Sequence, residues 1–400
     1  MIKSSISAGS NEMMFDKRST INLSFIIVVL AVLISGGMFI IPFLGLYIVF
    51  GFLVIFQMFI SNPILNNSKW NIIFYLIIIL IHSIILLHPG ESFTHILDKM
   101  YIFIISFVFF IGMNNKQEYK DFLYKVLGLV VYNIIASFVL YVVYKGVFQT
   151  TEYYNSFIYV FNYVTYDSVI FPRFMGPFFE PGVTQIYLNI YLYLILFEYK
   201  KSLLYILLTI LSIILTQSTT GYVITGVIIL YYLLTDKGLL SSVRLKVAII
   251  ATIIAIYPTI NTNMNDKLTS SGNKYGSYES RSVDLQLGLK VLYNNPILGI
   301  GFNYDNYYKE AGDFIDNIDT SVISFSNSEF KRGNSNSIIR LFYSLGLILS
   351  IPIIYGLYNQ SIFKEKKLFF LIMILSLSSE SLLFSPFFLY ISYSGISKIE

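Results

Sequence analysis

Long apolar runs recur along the whole chain, and short polar segments separate most of them. As α-helices, these runs are suited to crossing the roughly 30 Å of hydrocarbon in a bilayer. The pattern predicts an all-α polytopic integral membrane protein in which residues 1–400 form a single transmembrane domain. About eleven transmembrane helices, within a range of ten to twelve, are expected at residues 21–36, 39–60, 70–87, 100–113, 122–144, 182–198, 202–216, 219–235, 246–260, 336–358 and 368–390.

The last apolar run contains two residues that interrupt it, Glu380 and Pro386. An intramembrane carboxylate is costly, and proline breaks a helix. The run is therefore either one broken helix or two short segments. The side of the membrane on which the chain ends is left open by this ambiguity.

Basic residues in the short loops predict the orientation, because short loops rich in lysine and arginine resist translocation. With a cytoplasmic N-terminus, one side of the membrane collects eleven such residues: Lys69, Lys116, Lys120, Lys200, Lys201, Lys237, Arg244, Lys246, Lys364, Lys366 and Lys367. Two long segments, 145–181 and 261–335, then become external loops.

Composition narrows the class of protein further. The chain is 56% hydrophobic and only 12% charged, with a net charge of +4. In a membrane protein this small excess reflects lysines that anchor one side, so no nucleic-acid partner is predicted. The absence of cysteine excludes disulfides and thiolate metal ligands.

The second long loop contains a periodic stretch near 283–293. A loop of this length in a compact protein is usually functional or disordered. A serine at 280 or 282 is able to cap a helix there. An amphipathic helix at the membrane surface accounts for the stretch better than a linker does. Its apolar residues are Val283, Leu285, Leu287, Leu289, Val291 and Leu292.

The block RFMGPFFEPG, from Arg173 to Gly182, places two charges at the start of a predicted membrane helix. Pro181 suits a first helical turn, and a carboxylate before it suits the positive end of the helix dipole. Capping therefore explains Glu180 as well as catalysis does. Arg173 has no capping role at an N-terminus, so either it binds phosphate or its side chain snorkels to the interface.

Three further charged residues are expensive where they stand. Arg281 opens the periodic stretch, Arg340 lies one turn into the helix predicted at 336–358, and Glu380 interrupts the last run. Arg340 either snorkels or faces a polar cavity, and Glu380 is either functional or solvated by neighbouring serines. Together with Arg173, the two arginines make three from three separate segments, which would be able to hold a pyrophosphate at one membrane face.

Taken together, these features resemble the bacterial O-antigen polymerase and O-antigen ligase superfamily. The block at 173–182 looks like the Arg-x-x-Gly-x-Phe-x-Glu-Pro stretch of the polymerases. The segment ESRSVDLQLGLKVLYNNPILGIGFNYDNY, at 279–307, resembles the arginine, amphipathic helix, Asn-Pro and Gly-x-Gly succession of the family's large external loop. The resemblance runs across about 170–350, and the first 140 residues match only in hydropathy.

Two elements depart from the family pattern. The turn TQSTTG at 216–221 is similar to a Ser-Arg-x-Gly turn, but Thr219 replaces the arginine. The stretch at 334–346 is similar to one that begins His-Asn in ligases, but Asn334 and Asn336 stand there without a histidine. Since ligases rely on that histidine, the departure favours a polymerase.

The resemblance implies a metal-independent membrane glycosyltransferase without a cofactor. Its substrate would be an undecaprenyl-pyrophosphate-linked oligosaccharide, polymerised into O-antigen, capsule or exopolysaccharide at the external face of the bacterial cytoplasmic membrane. Arg173, Arg281 and Arg340 would bind pyrophosphate, with Arg173 also counted as catalytic. Glu180 would be the general base, and Asn334, Asn336 and Glu380 would line a polar site.

The partners implied are the lipid-linked oligosaccharide and the bilayer, with a chain-length regulator as an optional third. Two alternatives stay open at this point, an O-antigen ligase and a lipid-linked oligosaccharide flippase or transporter. A flippase would concentrate its charges inside helices and needs no large external loop. An ion-coupled transporter would show paired, interrupted spans in two halves, and no internal repeat is evident.

Overall fold

A computed structural model describes residues 17–37, 43–61, 67–86, 94–113, 115–144, 149–150, 155–157, 162–165, 172–235, 261, 275–315 and 334–397. Helices make up most of this part of the chain, which confirms the predicted all-α class. They are α1 Lys17–Gly36, α2 Phe43–Ser61, α3 Asn67–Ile85, α4 Thr94–Gly112, α5 Lys116–Val143, α6 Pro181–Tyr193, α7 Leu203–Thr216, α8 Thr219–Thr235, α9 Tyr275–Asn294, α10 Tyr304–Ile315, α11 Ser337–Asn359, α12 Lys366–Leu377 and α13 Pro386–Ile396.

Within the described part of the chain, two helices, α5 and α11, are long and apolar enough to cross a membrane. Five shorter apolar helices accompany them, at Leu23–Gly36, Gly45–Ser61, Lys69–Ile85, Leu203–Thr216 and Thr219–Thr235. Large apolar side chains cover much of the outer surface, as at Phe52, Phe59 and Phe74. A surface of this kind is suited to lipid. The number of spans stays a prediction, and the span expected at 246–260 lies outside the described residues.

The last apolar run forms two short helices, α12 and α13. The backbone N–H of Phe387 donates to Ser35 Oγ at the end of α1 (3.0 Å), while Ser361 Oγ donates to the carbonyl of Ser394 (3.1 Å). Helix α13 therefore runs from the α1 C-terminal end of the bundle back to the end where α12 begins. All eleven of its residues are buried, so it belongs to the interior of the bundle.

Close backbone contact holds α13 against α11. A Cβ added to Gly395 would lie 2.0 Å from the carbonyl oxygen of Gly356, and one added to Gly356 would lie 2.3 Å from that of Ser392. Small residues allow this approach between helices in a membrane bundle. The pair places the 378–385 connection beside the start of α11.

A small antiparallel sheet lies in the first predicted external loop and was not expected from the sequence. Its strands are β1 Gln149–Thr150, β2 Asn155–Phe157, β3 Asn162–Thr165 and β4 Arg173–Gly176, in the order β1-β2-β3-β4. Thr184 Oγ1 donates to the carbonyl of Met175 (2.6 Å). That bond ties the last strand to the first turns of α6.

Helix α11 is interrupted at Gly346, whose backbone adopts φ 70° and ψ 173°. The loop that follows α9 fills the interruption: the backbone N–H groups of Ile300 and Gly301 donate to the carbonyls of Tyr343 (2.8 Å) and Ser344 (2.9 Å). Gly299 and Gly301 have positive φ, which glycine adopts without strain. The Gly-x-Gly pair is thus a docking loop for α11.

Candidate active site

A cavity of 540 Å³ opens where several helix ends meet. Its walls come from the C-terminal end of α1, the N-terminal parts of α2, α4 and α6, the first turn of α11 and the 380–385 connection. Four of its residues carry charge: Lys99, Glu180, Arg340 and Glu380. Apolar residues complete the wall, among them Ile34, Ile102, Val183, Leu382 and Phe384. The cavity therefore combines a charged region with apolar surface.

The block RFMGPFFEPG is held rigidly at the edge of this cavity. Phe178 stacks on Tyr187 of α6, with ring centroids 4.7 Å apart. A Cβ added to Gly36 would lie 2.2 Å from the Phe178 ring, and one added to Gly37 would lie 2.7 Å from Phe179. The end of α1 therefore admits the two phenylalanines only because it carries glycine.

Glu180 occupies the N-cap position of α6, but its side chain forms no capping hydrogen bond. The carboxylate lines the cavity instead, and it forms no hydrogen bond or ion pair with another described residue. Capping by the side chain, one of the two explanations open from the sequence, does not account for this geometry.

Arg340 and Glu380 are both strongly buried, with 8% and 5% of their surface exposed. The Arg340 Nη1 donates to Ser381 Oγ (3.0 Å), and the guanidinium lies 5.7 Å from the centre of the Phe384 ring. The backbone of the same connection is fixed by Ser337 Oγ, which accepts from the N–H of Leu382 (2.7 Å). Ser337, in the first turn of α11, thus fixes the 380–385 connection, and Ser381 of that connection in turn binds Arg340.

Arg281 joins this group through an ion pair. Its Nη2 lies 2.9 Å from Glu380 Oε1. The same oxygen would lie 2.0 Å from a Cβ added to Gly182, in the first turn of α6. Glycine at that position lets the carboxylate approach the positive end of a helix. The structure thereby brings Arg281, Arg340, Glu180 and Glu380 together.

Arg173 lies elsewhere. Its Nε donates to the carbonyl of Thr216 (3.2 Å), the last residue of α7, and it is not among the residues that line the cavity. Gln217 follows in the left-handed conformation, so the arginine serves the helix end at the turn TQSTTG. The predicted membership of Arg173 in the pyrophosphate site stays a prediction.

Asn334 and Asn336 stand beside the cavity in structural roles. The side chain of Asn334 is buried and donates to the carbonyl of Asp284 in α9. Asn336 caps α11, because its Oδ1 accepts from the N–H groups of Ile338 and Ile339, both at 3.0 Å. Asn334 thereby joins α9 to the segment that begins α11, while Ser335 between the two asparagines lines the cavity.

Lys99 was missed by sequence reasoning. It lies in the second turn of α4 and forms no hydrogen bond or ion pair with another described residue, although it repels Arg340 electrostatically. The sequence does contain a feature that could have identified it. Lys99 lies at the end of the bundle opposite to the lysines that predict the orientation. A lysine that departs from such a pattern is a candidate for a site.

The described residues include no group of three or more histidine, aspartate or glutamate side chains placed to share a metal ion. The predicted independence from metals and cofactors stays a prediction. The carboxylates, guanidinium and ammonium groups that line the cavity can themselves supply a base and bind an anion.

Residues 204–354 match the family model described as O-antigen ligase. This match supports membership of the O-antigen ligase/polymerase superfamily. The matched region covers α7, α8, α9, α10 and most of α11, and therefore includes Arg281 and Arg340 but neither Lys99 nor Glu180. No curated protein matches the chain. Together, the family match and the apolar helices are consistent with a protein of a bacterial inner membrane.

Proposed function

We propose that the protein is a polysaccharide polymerase that joins undecaprenyl-pyrophosphate-linked repeat units. An acceptor sugar hydroxyl attacks the anomeric carbon of the growing chain. A new C–O bond forms there as the bond to pyrophosphate breaks, and lipid pyrophosphate leaves with the electron pair. Direct attack inverts the anomeric centre. The product is one repeat unit longer and remains on the acceptor's lipid.

One observation carries this proposal: the cavity holds an available carboxylate, Glu180, together with two cations, Lys99 and Arg340. Glycosyl transfer from a pyrophosphate needs a base for the acceptor hydroxyl and positive charge for the leaving group. The apolar part of the cavity wall suits a lipid carrier. The family match adds lipid-linked sugars as the substrate class.

Glu180 is the base in this scheme and takes the proton from the acceptor hydroxyl. Arg340 and Lys99 bind the pyrophosphate and stabilise the charge that develops as it leaves. Arg281 and Glu380 position this group, since their ion pair joins α9 to the connection that holds Arg340. Arg173 remains a candidate for the same anion on the strength of its sequence block.

The predicted orientation places the cavity at the external face of the cytoplasmic membrane, with the N-terminus in the cytoplasm. Repeat units assembled on undecaprenyl pyrophosphate and carried across the bilayer would meet the cavity there. A chain-length regulator would act on the same face. The position of the bilayer and its sidedness can be tested by labelling from either side.

An O-antigen ligase is the second candidate, because that is the description of the matching family model. A ligase would use the same leaving group but would transfer the finished chain to a different acceptor. The absence of a histidine at 334–336 is the feature that favours a polymerase. The two activities differ in the product that accumulates when the gene is lost.

The deciding experiment deletes the gene in its host and examines the glycan at the cell surface and on the lipid carrier. Loss of a polymerase leaves surface glycan of a single repeat unit. Loss of a ligase leaves long chains on undecaprenyl pyrophosphate that never reach their acceptor. Lipid-linked single units trapped in the cytoplasmic leaflet would indicate a flippase and contradict both enzymatic assignments.

A further inference from the structure

Helix α9 presents three different faces, each repeating every four residues. At 100° per residue, a four-residue step turns the helix by only 40°, so each series stays on one side over two turns. The first series is buried, the second is apolar and exposed, and the third is polar and exposed. Their members are Val283, Leu287 and Val291; Leu285, Leu289 and Tyr293; and Gln286, Lys290 and Asn294.

The buried series packs on protein. Val283, Leu287 and Val291 form a core cluster with Tyr307 of α10 and Tyr343 of α11. The six apolar residues predicted to form one face of an amphipathic helix therefore divide between two faces. Since protein already covers one of these faces, a single hydrophobic environment does not explain the sequence of α9.

The exposed apolar series continues into the loop that docks on α11. The exposed fractions of Leu285, Leu289 and Tyr293 are 40%, 47% and 82%, and Ile297 and Leu298 beyond them are also exposed. These five residues are called the outer stripe below. Their exposure to water would be unfavourable, because burial of apolar surface yields about 25 cal/mol per Å².

The outer stripe adjoins the apolar surface of the membrane helices. His82 of α3 contacts the carbonyl of Leu298 through its Nε2, and the N–H of Leu347 in α11 donates to the carbonyl of Pro296 (2.8 Å). Both helices expose large apolar side chains next to these contacts, namely Ile81, Ile84 and Ile85 in α3 and Leu347, Ile348 and Ile351 in α11. The stripe therefore extends an apolar surface that is suited to lipid.

We propose that α9 lies in the membrane interface and that the outer stripe contacts the lipid of the adjacent leaflet. Protein covers the first face, acyl chains cover the second, and the polar series faces headgroups and water. A helix with an exposed apolar face beside a polar one binds an interface in this manner. The inference is independent of the reaction that the cavity performs.

This contact would also steady the cavity. Arg281 lies one turn before Leu285 on the same helix and reaches Glu380. Lipid beneath the outer stripe would hold the helix at a fixed depth, and its buried face would hold it against α10 and α11. The arginine is then carried by a helix fixed on two sides.

Spin labelling tests the proposal directly, because the chain has no cysteine and every introduced cysteine is labelled alone. Six variants sample the two exposed series: Leu285→Cys, Leu289→Cys, Tyr293→Cys, Gln286→Cys, Lys290→Cys and Asn294→Cys. The labelled full-length protein is placed in lipid nanodiscs. Collision rates are measured with oxygen, which concentrates in the bilayer, and with a water-soluble nickel chelate. Three positions in each series allow a variant that does not fold to be set aside.

The expected ratio of oxygen to nickel collisions is about tenfold higher in the apolar series than in the polar series, because only the former reaches acyl chains. Equal ratios in the two series would overturn the proposal. Low rates with both reagents at Leu285, Leu289 and Tyr293 would also overturn it, since they would mean that a protein partner or a second copy covers the stripe. The gene-deletion experiment tests only the proposed reaction, and spin labelling tests only the lipid contact of α9. Either proposal can therefore fail without the other.

Discussion

The two ends of the helix bundle differ in how completely their charged side chains are paired. At the end away from the cavity, Glu198 is almost fully buried, pairs with Lys120 at 2.9 Å, and accepts the backbone N–H of Lys364 at 2.8 Å. Close by, Asp121 accepts from Tyr199 at 2.5 Å, and Glu365 accepts from Tyr231 at 2.8 Å. Every one of these carboxylates is matched by a donor.

At the cavity end, Glu180 and Lys99 line open space and form no hydrogen bond or ion pair with other described residues. Charged side chains therefore have two different roles in this molecule. Matched charges join α5, the segment that follows α6, α8 and the start of α12, whereas Glu180 and Lys99 at the cavity end stay available for a ligand. Substitutions at the two ends should therefore affect different properties.

The largest expected effect is that of Glu180→Gln on catalysis. The amide keeps the shape of the side chain but cannot take a proton, so the rate of polymer formation should fall by about 10² to 10⁴. Purified protein in nanodiscs, supplied with lipid-linked oligosaccharide, gives the rate directly. Glu365→Gln, at the other end of the bundle, is the matched control and should retain activity. Wild-type turnover by Glu180→Gln would remove the base from the scheme.

Lys99→Ala should come next, with a loss of about 10²-fold if the ammonium stabilises the leaving pyrophosphate. Lys99→Arg should recover much of the rate because it keeps the charge. Lys125→Ala, an exposed lysine near the opposite end of the bundle, serves as the control. Equal rates for Lys99→Ala and Lys125→Ala would show that the cavity does not use this cation.

Glu198→Gln addresses the other end and should alter stability instead of chemistry. Loss of the charge leaves Lys120 buried without its partner, a change that costs about 3 kcal/mol. Thermal unfolding in detergent should shift downward, while the rate per folded molecule should stay at the wild-type level.

Lys364→Ala is the comparison for that experiment. Its Nζ lies 3.6 Å from Glu198, but 66% of its side chain is exposed, so water screens the pair. The expected cost is below about 1 kcal/mol. A large fall in catalytic rate from Glu198→Gln at full folding would break the proposed division between the two ends.

Much of the fold follows from hydropathy, because helices such as α7 and α8 are apolar runs bounded by polar residues. The break at Gly346 does not follow, since it depends on backbone contact with a loop about fifty residues earlier. Sheet β1–β4 was missed because its strands are short and set among aromatic residues that also suit a membrane interface. Tertiary contacts, which no local pattern contains, decide both features.

The site residues that could be predicted from the sequence are those whose charge is costly to bury in an apolar run. Arg340 and Glu380 were singled out because burial of a charge in an apolar run requires compensation. Lys99 was missed because lysines were considered only as markers of orientation. Arg173 was grouped with the other arginines by its position near a helix start, yet its Nε contacts the end of α7. Only folding shows which helix ends meet.

The smallest expected effect on catalysis is that of Ser381→Ala, which removes the hydrogen bond to Arg340 Nη1 but leaves the contact with the Phe384 ring. A hydrogen bond to a charged group is worth at least about 1.5 kcal/mol, so the rate should fall about tenfold. Ser378→Ala is the matched control, because its hydroxyl donates to the carbonyl of Ile374 within its own helix.

The division of that loss between kcat and KM shows what Ser381 does. If the serine positions Arg340 for the charge that develops on the leaving pyrophosphate, kcat should fall while KM for the lipid-linked donor stays nearly constant. A rise in KM alone would mean that Arg340 binds donor and transition state equally well. A drop in folded protein without a change in either constant would give Ser381 a structural role only, like that of the matched charges at the opposite end.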